Sequence, residues 1–306
     1  MSAEPVVHAE FARQRSRLRF YDVISGDGTR IRAWDNGVEG PTVLLCNGLG
    51  TNPYSWPALL EPDCGVHVIS WQHRGTGGSE RPRRRKAAGI EEFVQDAVAV
   101  LDDAGLDRVP VMGWSMGVNT AFELATVHPD RVSGLFAVAG VPGRTFGTML
   151  RPLHLPRLVN EAITVNAARL MSLAGPLLSP VAARLPMGPI GVGVVSHSGF
   201  MLPVADIDDT GRTMREFLTT PLDWYFHMAL QTHRHARVSL SAIDVPAMFV
   251  AGRWDVLAGA KDMLTAAARI RDASYVELKG SHFLPLEKPD QVHALLLEFL
   301  ERLDAD

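Results

Sequence analysis

The stretch Val109-Pro110-Val111-Met112-Gly113-Trp114-Ser115-Met116-Gly117-Val118 decides how this chain is read, because it sets one polar serine between two glycines where two patterns meet. VPVMGW is short and apolar, as a strand buried on both faces would be. SMGVNTAFELATVHP repeats Val118, Phe122, Leu124 and Ala125 at helical spacing and stops at Pro129. Ser115 therefore falls on a strand-to-helix corner. A corner so sharp strains its central residue and brings strand and helix close, so the positions two before and two after have no room for a side chain; Gly113 and Gly117 meet that condition. The serine oxygen is lifted off the sheet at a helix N-terminus, where free N–H groups and the helix dipole favour negative charge. An oxygen nucleophile whose attack leaves an oxyanion needs that setting. It also needs a base, and the base an orienting acid.

Working outward, the segments around this corner alternate. LRFYDVI and RIRAWD flank Gly26-Asp27-Gly28, a hairpin signal. TVLLC (42–46), VHVISW (66–71), the VPVMGW run and VSGLFAVAG (132–140) read as buried strands, separated by a helical segment around PYSWPALLE, a helix from about 90 to 104 and the helix after Ser115. From 141 to 241 the rhythm breaks into helical periodicity, in RLVNEAITVNAARLMSLAG and PLDWYFHMALQTHRHARV, with no clear strand. The alternation then resumes through VPAMFVAG, KDMLTAAARIRD, ASYVELKG and KPDQVHALLLEFLERL. This predicts an α/β fold with a doubly wound, mostly parallel sheet, whose binding sites lie beyond the strand C-termini. The expected organisation is an N-terminal extension (1–17), a core from 18–140 and 242–306, and a helical cap or lid (141–241).

The partners Ser115 requires come after the insertion. Arg253-Trp254-Asp255-Val256 follows VPAMFVAG, and Gly280-Ser281-His282-Phe283 follows YVELKG, so Asp255 and His282 fall on the rim that carries Ser115. Taken singly, each has a plainer reading, a turn aspartate and a loop histidine. Together, in the order Ser, Asp, His, they complete the set. With these residues in view, the chain from about 18 to its end resembles the α/β-hydrolase superfamily, in its serine-nucleophile, esterase- and lipase-like branch.

That resemblance implies Ser115 as nucleophile, His282 as base and Asp255 as the acid that orients the imidazole. It implies an oxyanion hole from the backbone N–H groups of Met116 and of Leu49 in NGLG. Asn47 stands where many relatives have histidine, which bears on the hydrogen bonds supporting that loop. RGTGGS (74–79) is similar to a structural turn of the family. The Asp nucleophile of related dehalogenases and epoxide hydrolases is absent.

Composition sets the remaining bounds. The 306 residues are 46% hydrophobic and 21% charged, an ordinary globular composition. A formal net charge of −4 makes no electrostatic case for nucleic acid. Cys46 and Cys64 are too few for a disulfide scaffold and fit a reducing, cytoplasmic setting. The first residues lack a secretory pattern, and Arg13, Arg15, Arg17 and Arg19 read as a solvated face. No run reaches the ~18 apolar residues of a membrane span. His233 and His235 form an H-x-H pair without an evident third ligand, so no metal and no cofactor are expected. RPRRRK (81–86) reads as a solvated face, with an anion site as the alternative.

The expected activity is acyl transfer to water from a small to medium, mainly apolar carboxylic ester. Lactone, thioester or carbon-carbon bond hydrolysis and a slow ligand-binding receptor are the alternatives. NGLGTNPYSW is similar to the corresponding segment of enol-lactone hydrolases. Trp114, Trp224, Phe226 and Met228 are the expected substrate contacts, with Met171 and Met201 added as roof residues and a preference for short to medium acyl chains. The Met and Leu stripe of the insertion is expected to be its core, with contact to a lipid surface as the alternative. A homodimer completes the expected partners.

Overall fold

A computed structural model describes residues 17–143, 156–235 and 238–305. Its centre is one eight-stranded sheet in the order β1-β2-β4-β3-β5-β6-β7-β8. β1 (Arg19–Ile24) and β2 (Arg30–Asp35) form the antiparallel hairpin, and β2 pairs antiparallel with β4 (His67–Trp71). β3 (Thr42–Cys46), β5 (Val109–Trp114), β6 (Val132–Val138), β7 (Ala247–Gly252) and β8 (Ala273–Leu278) extend the sheet in parallel from β4. All the parallel strands therefore end on one edge, where their following loops collect.

The period of two along the strands divides the core. In β3, Leu44 and Cys46 enter one apolar layer, while Val43 and Leu45 enter the other. The first layer is covered by α1 (Ile90–Asp103) and α2 (Met116–Val127), through side chains such as Phe93 and Phe122. The second is closed by the C-terminal helix (Pro289–Ala305), whose Val292, Leu296, Phe299 and Leu300 recur at helical spacing and are buried. Arg74 of the RGTGGS turn is fully buried, with Nη2 2.7 Å from Asp96 of α1 and Nη1 2.6 Å from Asp27 of the β1–β2 turn. That turn therefore joins three parts of the core.

Between β6 and β7 the described residues contain no strand. They hold α3 (Arg157–Ala182), α4 (Pro189–Ser196), α5 (Ile207–Leu218) and α6 (Leu222–Thr232). α3 outruns the periodic stretch that ends at Gly175. A Cβ on Gly175 would collide with the backbone of Asp223, so this glycine lets α3 and α6 approach and does not end a helix. The leucine stripe of α3 is a second correction. Leu170, Leu173 and Leu177 are solvent-exposed rather than insertion core, because α3 turns its other side, including Asn160, Ala168 and Gly175, inward. PYSWPALLE is likewise two 3₁₀ turns, Pro53–Ser55 and Pro57–Leu60, and not one helix. Two prolines four apart remove the N–H that would link the turns. Residues 1–16, with Arg13 and Arg15, lie outside the described residues; Arg17 is exposed and Arg19 pairs with Asp35 at 2.9 Å. After β7 come α7 (Ala260–Ala267), β8, α8 (Leu284–Glu287) and α9 (Pro289–Ala305). No helix among the described residues is long and apolar enough to cross a membrane.

Candidate active site

β5 ends at Trp114 and α2 begins at Met116, leaving Ser115 alone on the corner with φ 55° and ψ −119°. That region is costly for any residue with a Cβ. It persists because the surroundings fix it. The Ser115 N–H donates to Val138 O at 3.0 Å. A Cβ on Gly113 would lie 2.8 Å from Val118 Cα, and one on Gly117 would sit inside contact distance of the Cys46 carbonyl. The two glycines thus bring α2 against β5 and β3, and the serine Oγ stands clear of the sheet.

Asp255 lies three residues beyond β7 and His282 four beyond β8. The two loops are held together at Gly252, where a Cβ would strike the Ser281 carbonyl. His282 Nε2 is 2.7 Å from Ser115 Oγ, and His282 Nδ1 is 2.9 Å from Asp255 Oδ2. The other carboxylate oxygen, Oδ1, accepts from the N–H groups of Leu257 and Ala258, both at 2.8 Å. Asp255 is therefore oriented by backbone on one side and presents a single oxygen to the imidazole. Trp114 Nε1 donates to His282 O at 3.0 Å and fixes the histidine from below.

Glu287, which the sequence reading did not single out, is part of this arrangement. It is buried, and its carboxylate accepts from Ser281 N and Ser281 Oγ, each at 2.6 Å, and from Leu202 N at 2.7 Å. A glutamate inside LPLEKP gives no local signal, since the same residue on an exposed helix end is commonplace.

The backbone N–H groups of Leu49 and Met116 have no acceptor among the described residues, and both residues line the cavity at Ser115. Asn47 supports the Leu49 loop directly. Its Oδ1 accepts from Gly48 N and Trp56 Nε1, both at 3.1 Å, and its Nδ2 donates to Asn52 O at 3.3 Å.

Above Ser115 is a cavity of about 740 Å³, within the size range of small-molecule sites. Core residues Trp114 and Phe283 and insertion residues Met171, Phe217, Tyr225 and Phe226 contribute to its wall, and among the described residues no Asp, Glu, Lys or Arg lines it. Trp224, Met228 and Met201 do not line it. On α6, Tyr225, Phe226 and Ala229 face the cavity, whereas Trp224 and Met228, four apart, point into the core below. Trp224 Nε1 donates to Arg74 O at 2.6 Å, and the Arg81 guanidinium stacks 4.7 Å above its ring. Its role is to seat the insertion on the β4–α1 loop.

The remaining polar candidates lie apart. His233 Nε2 is 3.3 Å from Glu161, whereas His235 lies between Glu91 and Glu123, 3.3 Å from each. No cluster of three His, Cys, Asp or Glu side chains among the described residues could hold a metal. The cations of RPRRRK are exposed, Arg85 lying 4.0 Å from Asp223. Cys46 and Cys64 are free and buried, and burial pushes both thiols up from the ordinary range.

The profile of the alpha/beta hydrolase fold family matches residues 41–172, which include the Leu49 loop and the Ser115 corner. The chain has the α/β-hydrolase fold. It is 29% identical to epoxide hydrolase A of Mycobacterium tuberculosis, over 92% of this chain and 97% of that protein. In fold the chain is similar to the enol-lactonase of Burkholderia xenovorans LB400 (TM-score 0.69, 21% identity, covering 92% of this chain and 100% of the other). It is equally similar to a thermophilic esterase of Thermogutta terrifontis (TM-score 0.69, 19% identity, covering 93% and 99%).

Proposed function

We propose that this α/β-hydrolase is a serine esterase acting on an uncharged, mainly apolar carboxylic ester. The observation that carries the reading is the unbroken chain Ser115 Oγ, His282, Asp255, with contacts of 2.7 and 2.9 Å, at the floor of an apolar cavity. Ser115 Oγ attacks the ester carbonyl while His282 Nε2 takes its proton. The Leu49 and Met116 N–H groups hold the oxyanion. His282 then gives the proton to the leaving alcohol, and Asp255 offsets the imidazolium charge. A water that loses its proton to His282 attacks the acyl-enzyme and releases the acid.

Residues 141–241 act as the cap in this reading. The cavity volume exceeds what a short ester fills, so the reading favours the medium end of the chain-length range, with Trp114, Phe226 and Met171 as contacts.

The epoxide hydrolase relatives raise a second reaction, which the chemistry of Ser115 opposes. An epoxide opened by a serine oxygen leaves an ether on the enzyme, and water activated by histidine does not cleave an ether. A carboxylate nucleophile would leave a hydrolysable ester, but the corner residue is Ser115. The test is a panel of esters, lactones, thioesters and epoxides alongside fluorophosphonate labelling. Turnover of esters with labelling at Ser115 supports the reading. Turnover confined to epoxides, or an enzyme whose ester hydrolysis is indifferent to labelling, overturns it.

A further inference from the structure

The outer face of the insertion is apolar and faces solvent. On α3, Ile163, Leu170, Leu173, Leu177 and Val181 recur at helical spacing, and Leu173 and Leu177 are 80% and 82% exposed. α4 adds Ile190, which is 86% exposed. Along α3 this exposed apolar surface runs unbroken at three- and four-residue spacing from Leu170 to Val181, and such surface marks an interaction site. Three observations say what covers it.

First, from residue 162 to 205 the chain contains no Asp or Glu, and its only Lys or Arg residues are Arg169 and Arg184. Arg169 is exposed beside Leu170, and Arg184 immediately precedes Leu185, also exposed. The acidic groups nearest this stripe are Glu161, which pairs with His233, and Asp206, Asp208 and Asp209 at the start of α5; the stripe from Leu170 to Ile190 carries only cations, which complements apolar chains beneath anionic headgroups. Second, the stripe opens into the cavity. Val194 and Phe200 line the cavity above Ser115 and are themselves exposed, so the cavity reaches the surface within this face. A second copy of the chain seated there would cover that opening, whereas a lipid surface would supply it. Third, α3 carries both functions on opposite sides. Thr164, Ala168 and Met171, at i, i+4 and i+7, face the cavity while the leucines face out.

We propose that the outer face of α3 and α4 docks on an anionic lipid surface, from which an apolar substrate enters the cavity past Val194 and Phe200. The entry step rests on the ester reading above; the docking step does not.

The experiment is co-sedimentation of the full chain with vesicles of phosphatidylcholine alone and of phosphatidylcholine mixed with phosphatidylglycerol. Binding is expected to be stronger to the mixed vesicles. The Leu173→Ser/Leu177→Ser double variant, which leaves the cavity wall untouched, is expected to bind at least about tenfold more weakly and to hydrolyse a water-soluble ester as the wild type does. Ser115→Ala is expected to bind vesicles like the wild type. Docking is overturned if the wild type stays in solution with both vesicle types, or if the double variant binds as the wild type does. A concentration-dependent dimer that the double variant abolishes, without vesicle binding, assigns the face to a second copy and also overturns it. Vesicle binding with no ester hydrolysis leaves docking standing and overturns the reading of the reaction instead.

Discussion

The backbone N–H of Leu202, in the insertion, donates at 2.7 Å to the carboxylate of Glu287, which also holds Ser281, the residue before His282. One buried side chain therefore ties the insertion to the loop that carries His282. Glu287→Gln keeps the volume but replaces one acceptor oxygen by an NH₂ that faces donors. At least one of the three contacts must break, leaving a buried donor unmatched at a cost of about 1–3 kcal/mol. We expect a lower Tm and a loss of about tenfold in kcat, larger than any change in KM, because the His282 loop loosens while the cavity wall stays. An unchanged kcat in a destabilised Glu287→Gln protein would show that this carboxylate serves the fold alone.

Ser115 gives a test in which stability and activity move oppositely. Its φ of 55° with ψ −119° is a backbone state that glycine adopts freely and other residues do not. Both Ser115→Ala and Ser115→Gly should lose at least about a thousandfold in ester turnover. The glycine variant should be about 1 kcal/mol more stable than the alanine variant, since it alone relieves the strain. Thermal unfolding of the two variants measures the difference. Equal stabilities would mean that the corner costs nothing to hold, and a turnover near wild type in either would remove Ser115 as nucleophile.

Asp255→Asn should fold normally and still lose about 10⁴-fold in kcat. The geometry dictates which way the amide turns. Oδ1 must remain toward the N–H groups of Leu257 and Ala258, so the new NH₂ points at His282 Nδ1. A donor there requires Nδ1 to accept, which puts the proton on Nε2 and leaves no base facing Ser115. Full activity in this variant would send the acid role to another carboxylate.

How far the sequence could be read follows from how local each signal is. Ser115, Asp255 and His282 each follow a strand whose own pattern announces it, so topology alone brings them to one rim. The sheet is legible for the same reason. The α6 contacts were half legible: Trp224, Phe226 and Met228 read together as contacts, yet helical spacing puts Trp224 and Met228 on one side and Phe226 off it, and only the docked position of the helix says which side faces the cavity. The periodic stretch read from the sequence stops at Gly175, and the close passage of α6 that requires this glycine lies 48 positions away in the chain. Glu287 had no signal because its partners, Ser281 and Leu202, are brought together by the fold.

His73 should make stability depend on pH. It is buried against Phe93, with ring centroids 4.6 Å apart, and burial pulls it down to about 4 from an ordinary 6.5. Because the folded value lies below the unfolded one, the unfolded chain takes up a proton first as pH falls. Stability is therefore full above about 6.5 and is lost as pH drops toward about 4, by on the order of 3 kcal/mol. His73→Phe removes this contribution, so the fall in Tm between pH 7.5 and pH 4.5 should be smaller than in the wild type. The same fall in both proteins would assign the acid sensitivity to other groups.

Phe226 and Trp224 should separate specificity from stability, although they are two residues apart on one helix. Phe226 lines the cavity, so Phe226→Ala enlarges it and should shift the optimum acyl length upward by about two to three methylenes, each adding roughly 0.8 kcal/mol while room remains. Its Tm should fall modestly. Trp224 is 1% exposed and gives its indole N–H to Arg74 O, away from the cavity. Trp224→Ala should cost about 3–5 kcal/mol of stability and leave the chain-length profile in place. Trp224→Phe keeps most of the ring volume and orphans only the Arg74 carbonyl, so it should cost about 1–3 kcal/mol. Profiles of kcat/KM across a homologous ester series, measured well below each Tm, read the first effect, and unfolding curves the second. A profile that shifts with Trp224 and not with Phe226 would mean that α6 presents its other face to the substrate.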